Sequence, residues 1–187
     1  LRRLADLHHA AGQVPVLLVG QPAQQNPAVG VADQELADRP LARQRPGTLS
    51  FSMPAGSSLT CVDWRTLSAS EIRPLLEHEA ARWRRELDWD VRDSWRVIEP
   101  ARAAGALPGI VVRDHSGRTA GWTWFLSHRG CLQVAALVSD DAATTASLVA
   151  AVQASEAAGS STRQVWSVPG EPDGLQEALV SAGLGVE

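Results

Sequence analysis

Between Leu107 and Ala158 the chain reads as three short apolar runs in quick succession, followed at once by a helical pattern. The runs are Gly109–Arg113, Thr119–Ser127 and Cys131–Val138, and each is rich in Val, Ile, Leu, Trp or Phe. Turn residues separate them: His115-Ser116-Gly117, then His128-Arg129-Gly130. β-Branched and aromatic runs bounded by such turns are strands, and strands joined this tightly pair antiparallel. The third run, Leu132 to Val138, is apolar almost without interruption. That pattern predicts a central strand covered on both faces. Asp140-Asp141 then opens a helix over about 141–157, since carboxylates suit the positive end of a helix dipole, and Gly159 ends it.

The flanking segments extend this unit. Leu59–Arg65 reads as a strand. Ser68 and Glu71 form a capping box for a helix over 70–87, with Leu75, Leu76, Ala80, Trp83 and Leu87 at helical spacing. A second helix is expected over 91–104, shortened by Pro100 and stopped by Gly105. Arg163–Val168 reads as a further strand and 172–182 as a last helix, capped by Gly183. Gly183–Glu187 looks like the start of another strand. The order strand, helix, helix, three strands, helix, strand, helix predicts a mixed α/β sheet covered by helices.

Residues 1–56 are different material, with recurring Pro and Gln and no periodic apolar face. They are expected to be a low-complexity or disordered extension, with a short helix at Leu1–Ala11 and a strand at Val14–Val19 as its only elements. Residues 57–187 are expected to be the domain. Met53 is the only methionine, which suggests a natural start there.

Composition excludes several classes. The net charge is −4 and all 17 basic residues are Arg, so nothing draws the chain to nucleic acid. No apolar run reaches the ~18 residues of a membrane span, and the expected location is cytoplasmic. Cys61 and Cys131 stand alone in strands and make no metal framework. No metal is expected; His8-His9 has no further ligands near it. Trp122 and Trp124 have period two and share a sheet face, which is read as core with a ligand groove as the alternative.

The order of elements over residues 59–187 resembles the GCN5-related N-acetyltransferase (GNAT) family. Local features similar to that family are Leu107-Pro108-Gly109, Asp114 to Gly117, Ala120-Gly121 and Ala178–Leu184. The resemblance implies an acyl-coenzyme A N-acyltransferase fold and transfer of acetyl from acetyl-coenzyme A to a small-molecule or peptide amine. It also implies that the coenzyme lies along the fourth strand and its following helix, here at Leu137, Val138, Ala142, Ala143, Thr144 and Thr145. His128 and Glu99 are the candidate bases, because the family deprotonates its amine and imidazole titrates near neutral pH.

The sequence departs from the family in three ways. The family's phosphate loop is Arg or Gln, two residues, Gly, one residue, then Gly or Ala. Here the turn is Ser139-Asp140-Asp141-Ala142-Ala143-Thr144-Thr145-Ala146, with no glycine, no arginine and two carboxylates. A carboxylate ~4–6 Å from a phosphate costs on the order of 1–4 kcal/mol. The chain has no Tyr, the family's usual acid. The family also has two strands after its fourth helix, which residues 183–187 cannot supply. These departures raise an alternative function: a non-catalytic scaffold, the degenerate half of a tandem acetyltransferase, paired with a second such domain or a second copy. An interaction module with this fold is a third reading.

Overall fold

The computed structural model describes residues 17–20 and 59–186, apart from 88–91, 93, 167 and 169–171. The expected helix at Leu1–Ala11 and most of the 1–56 extension lie outside the described residues. Among the described residues seven strands form one sheet. In chain order they are β1 (Leu17–Gly20), β2 (Thr60–Asp63), β3 (Gly109–Arg113), β4 (Thr119–His128), β5 (Cys131–Ser139), β6 (Arg163–Trp166) and β7 (Gly185–Val186). The helices are α1 (Ala69–Leu87), α2 (Glu99–Ala103), α3 (Ala142–Gln153), α4 (Glu156–Gly159) and α5 (Leu175–Ser181).

The sheet order is β2-β3-β4-β5-β6-β1-β7. Every pairing is antiparallel except β5 with β6, which is parallel. The mixed α/β reading therefore holds, and β3 to β5 lie within a residue of where the apolar runs placed them. Gly117 and Gly130 take positive φ at the two hairpin turns, where a side chain would be strained.

Two findings correct the expected end of the domain. Gly185–Val186 does form a strand, and the slot between it and β6 is filled by Leu17–Gly20 from the N-terminal extension. Among the described residues β6 is thus paired on both sides, with β5 and with β1.

Each face of the sheet carries its own core. On one, Ile110, Val112, Phe125, Leu132, Val134 and Leu137 pack with Leu148 and Val152 of α3 and Leu175 and Leu179 of α5. On the other, Val111, Trp122, Trp124, Ala135, Ala136 and Val138 pack with Ile72, Leu75 and Leu76 of α1. The alternation of Ile110, Val111 and Val112 between faces is the period of a strand.

Elsewhere the elements are shorter than expected. The first strand ends at Asp63 because Trp64–Thr66 turn into a 3-10 helix, with the Asp63 carboxylate accepting from Arg65 N. Arg65 returns a two-point ion pair to Asp63, and both side chains are almost fully buried. The expected 91–104 helix is a π-turn at Ser94–Ile98 followed by the single short helix α2. Long-range bonds hold that turn. Arg102 donates to Trp64 O and Leu67 O, while Glu99 accepts from the same guanidinium at 2.6 and 2.9 Å. The 141–157 helix breaks at Ser155, whose hydroxyl caps α4 by accepting from Ala158 N. The last helix starts three residues late, after Gly174 at φ 74°.

The capping box at α1 is present. Glu71 accepts from Ser68 N at 2.9 Å and from Ser68 Oγ at 2.7 Å, and Arg113 on β3 pairs with it. The Ser68 bonds come first, then Arg113, and together they hold the Glu71 carboxyl at about 2. Asp114 is likewise held at about 2, chiefly by the Ser116 hydroxyl and then by Arg118. Both pKa values are depressed on folding, so their contribution is complete above the unfolded carboxylate range and disappears as pH falls toward 2. Stability should therefore decline from about pH 4.5 to pH 2, with a flatter profile in Glu71→Gln. Chemical denaturation across that range checks this; parallel profiles for the two proteins would contradict it.

Candidate functional site

The apolar run of β5 hides an irregularity. Trp124 pairs with Ala136 but Phe125 pairs with Val134, so Ala135 is an extra residue opposite no partner on β4. This is a β-bulge, which bends the strand carrying it. The consequence shows in the cores, where Ala135 and Ala136 both face the α1 side while Val134 and Leu137 face the α3 side. Among the described residues the parallel pairing of β5 with β6 runs from Cys131 opposite Arg163 to Val134 opposite Trp166. The carboxyl ends of two adjacent parallel strands are the position where open α/β sheets hold ligands, and α3 begins just beyond the end of β5.

The residues expected to hold coenzyme come together at this place. Leu137 and Val138 lie on the carboxyl half of β5, and Ala142 to Thr145 form the first turn of α3. Their chemistry is turned inward. Leu137 and Val138 are core residues on opposite faces. Thr144 and Thr145 are fully buried, while Ala142 and Ala143 are exposed. The Thr145 hydroxyl donates to Asp141 O at 3.1 Å and lies 2.7 Å from Ser139 Oγ. The Thr144 amide, one of the donors a helix N-terminus offers to an anion, is bonded at 2.7 Å to Asp141 Oδ1. Asp141 thus caps its own helix and puts a carboxylate at the anion position. Asp140, exposed beside it, faces Arg118 at 3.4 Å.

Two glycines bring this end together. A Cβ on Gly121 of β4 would sit 2.6 Å from Val138 O and 2.8 Å from Thr144 Cγ2, so only glycine lets α3 lie this close to the sheet. A Cβ on Gly174 would sit 2.8 Å from the Cβ of Ala142, which places the turn before α5 directly against the start of α3. Val168 and Leu175 join Leu137 and Leu148 in the same core.

Neither candidate base reaches this site. His128 is exposed at the β4–β5 hairpin, opposite Cys131. The nine-residue strand β5 separates it from the start of α3, a distance of roughly 27 Å at ~3.3 Å per residue. Glu99 is spent on Arg102. Cys61 and Cys131 are free and half-buried; β3 and β4 lie between their strands and the register puts them at opposite ends of the sheet, roughly 30 Å apart, too far for a disulfide. Among the described residues there is no group of three potential metal ligands.

One buried cluster escaped the sequence reading. Glu79 of α1 is 2% exposed and lies against the Trp face of β4. Its carboxylate accepts from Trp124 Nε1 at 3.0 and 3.1 Å and from Trp122 Nε1 at 3.4 Å. Trp124 stacks on Trp64 at 6.4 Å, and Trp64 donates to Leu107 O at 2.8 Å. His78 meets the Trp122 ring edge-on at 5.4 Å. Trp122 and Trp124 are core, as the first of the two readings had it. The available signal for Glu79 was its spacing: it falls three and four residues after Leu76 and Leu75, inside the apolar stripe.

No family model and no curated protein sequence matches the chain. Among solved structures it is similar to a protein from Enterococcus faecalis V583 described as a conserved protein of unknown function and probable N-acyltransferase, with 12% identity and a TM-score of 0.48. The alignment covers all of this chain and 45% of that protein, so this chain spans less than half its length. No helix among the described residues is long and apolar enough to cross a membrane.

Two substitutions test this geometry. Gly121→Ala should destabilise by about 1–3 kcal/mol, because its methyl group meets backbone of β5 that cannot give way; an unchanged urea midpoint would contradict the close approach. Glu79→Ala should cost about 2–4 kcal/mol by orphaning buried indole N–H groups and leaving a void. Glu79→Gln, whose amide oxygen still accepts, should cost clearly less. Denaturation followed by Trp fluorescence separates the two.

Proposed function

We propose that this chain is an acyltransferase-type domain without an open anion cradle, and that it serves as a non-catalytic scaffold for an active acyltransferase domain. The observation that carries this is the Asp141 cap. A pyrophosphate bound at α3 would need the Thr144 amide that Asp141 Oδ1 holds, and would face the charge of Asp141 with Asp140 alongside. No glycine stands between Ser139 and Ala146 to let backbone approach phosphate. Acetyl-coenzyme A therefore does not fit this helix end as it stands.

A second reading, transfer of acetyl from acetyl-coenzyme A to a small-molecule or peptide amine, is favoured by a different observation. The bulge at Ala135 lies beside the switch from antiparallel to parallel pairing, at the carboxyl ends of β5 and β6, where open α/β sheets hold ligands. The base for such a reaction is not among the residues gathered there. A cytoplasmic setting suits either reading.

Calorimetric titration of the full chain with acetyl-coenzyme A distinguishes them. The scaffold reading expects no saturable heat at millimolar coenzyme. The Asp140→Asn, Asp141→Ser double variant should keep a helix cap, since Ser also caps well, while removing both charges. Weak binding that appears only in that variant would support electrostatic exclusion as the cause. Saturable micromolar binding by the unsubstituted chain would overturn the scaffold reading in favour of acetyl transfer.

A further inference from the structure

Strand β1 occupies an unusual place. It lies between β6 and β7, antiparallel to both, with Leu17 opposite Trp166 and Gly20 opposite both Arg163 and Gly185. Its neighbour in sequence, β2, lies at the far edge of the sheet, five strand positions away. At ~4.8 Å per strand that separation is about 24 Å. Consecutive strands usually neighbour each other, and a short connection then favours pairing within one chain. Here no such short connection holds β1 to β2.

The slot has one wall held independently of β1 and one that pairs with β1. One wall is β6, fixed by its parallel pairing with β5 and by the buried side chains of Gln164 and Trp166. Gln164 is locked to Gln153 of α3 by amide bonds in both directions, at 2.7 and 3.0 Å. The other wall is β7, which among the described residues pairs only with β1 and follows α5 through the buried Leu184. Both walls present antiparallel edges, so an inserted strand gains backbone bonds on two sides and the register is set by main chain.

We infer that the slot between Arg163–Trp166 and Gly185–Val186 is a strand-acceptor site for the segment around Leu17–Gly20, and that a second copy of this chain can supply that segment, giving a reciprocal strand-exchanged dimer. Exchange replaces each pairing by an identical one. The contacts of the slot are therefore the same in monomer and dimer, and protein concentration sets the balance. The dimer is two-fold symmetric, with each β1 completing the partner's sheet.

Cysteine pairs placed in register test this in the full chain. Val19 and Val186 lie directly opposite, and opposed residues of an antiparallel pair have Cα atoms ~4.5–5.5 Å apart, within disulfide range. Val19→Cys and Val186→Cys chains are made separately, unfolded together, refolded and mildly oxidised. Peptide mapping by mass spectrometry then identifies the linked residues. Exchange predicts a disulfide joining position 19 of one chain to position 186 of another, in a share that rises with protein concentration. The Val19→Cys, Val186→Cys double variant serves as the register control and should link within one chain when refolded dilute. Intrachain linkage in the double variant at every concentration, with none in the mixture, would overturn exchange. Absence of the 19–186 link in both experiments would overturn the slot assignment itself.

Discussion

A single extra residue in β5 bends the strand that leads into the candidate site. Ala135 has no partner on β4, so Ala135 and Ala136 face the α1 side together while Val134 and Leu137 face the α3 side. Helix α3 follows that strand, and Gly121 lets it settle onto the sheet there. Gly174 brings the turn before α5 against Ala142 at the same end.

What the start of α3 can hold is decided by charge. Helix α3 begins in a turn whose amides would attract an anion in the absence of a side-chain cap. Asp141 supplies the cap from within, and the helix is stabilised at the expense of its capacity to bind phosphate. The two roles compete for the same donor, the Thr144 amide. Glycines in that turn would leave the amide open to a ligand, whereas an aspartate at the cap position closes it. On the opposite face, the Trp64, Trp122, Trp124 and Glu79 cluster ties α1 to β4 through buried polar bonds. That cluster is packed as core and holds the scaffold of the sheet.

Much of this could be read from the amino-acid order, for local reasons. Gly117 and Gly130 marked the hairpin turns, so β3, β4 and β5 fell where their apolar runs lay. The capping box of Ser68 and Glu71 and the acidic start of α3 were visible because capping acts over three residues. The rest depends on contacts distant in sequence. The bulge at Ala135 left no trace, since Leu132 to Val138 is apolar on both faces and a shift of one residue changes nothing in the pattern. The π-turn before α2 is held by Arg102 reaching Trp64 O and Leu67 O, more than thirty positions back. The apolar run at Val14–Val19 announced a strand, but its place between β6 and β7 depends on pairing with residues at the other end of the chain. The residues expected at the coenzyme lie together at the end of β5 and the start of α3, where Thr144 and Thr145 are buried and Ala142 and Ala143 exposed; the candidate bases His128 and Glu99 lie elsewhere.

The central claim is that the amide turn at the start of α3 is closed by its own aspartate. Backbone amide resonances of Ala142 to Thr145, followed by NMR while coenzyme A is added to the full chain, test it most directly. The account predicts that the Thr144 amide does not move at millimolar coenzyme. A saturable shift of Thr144 and its neighbours would contradict it, because a phosphate would then be taking the bond now held by Asp141.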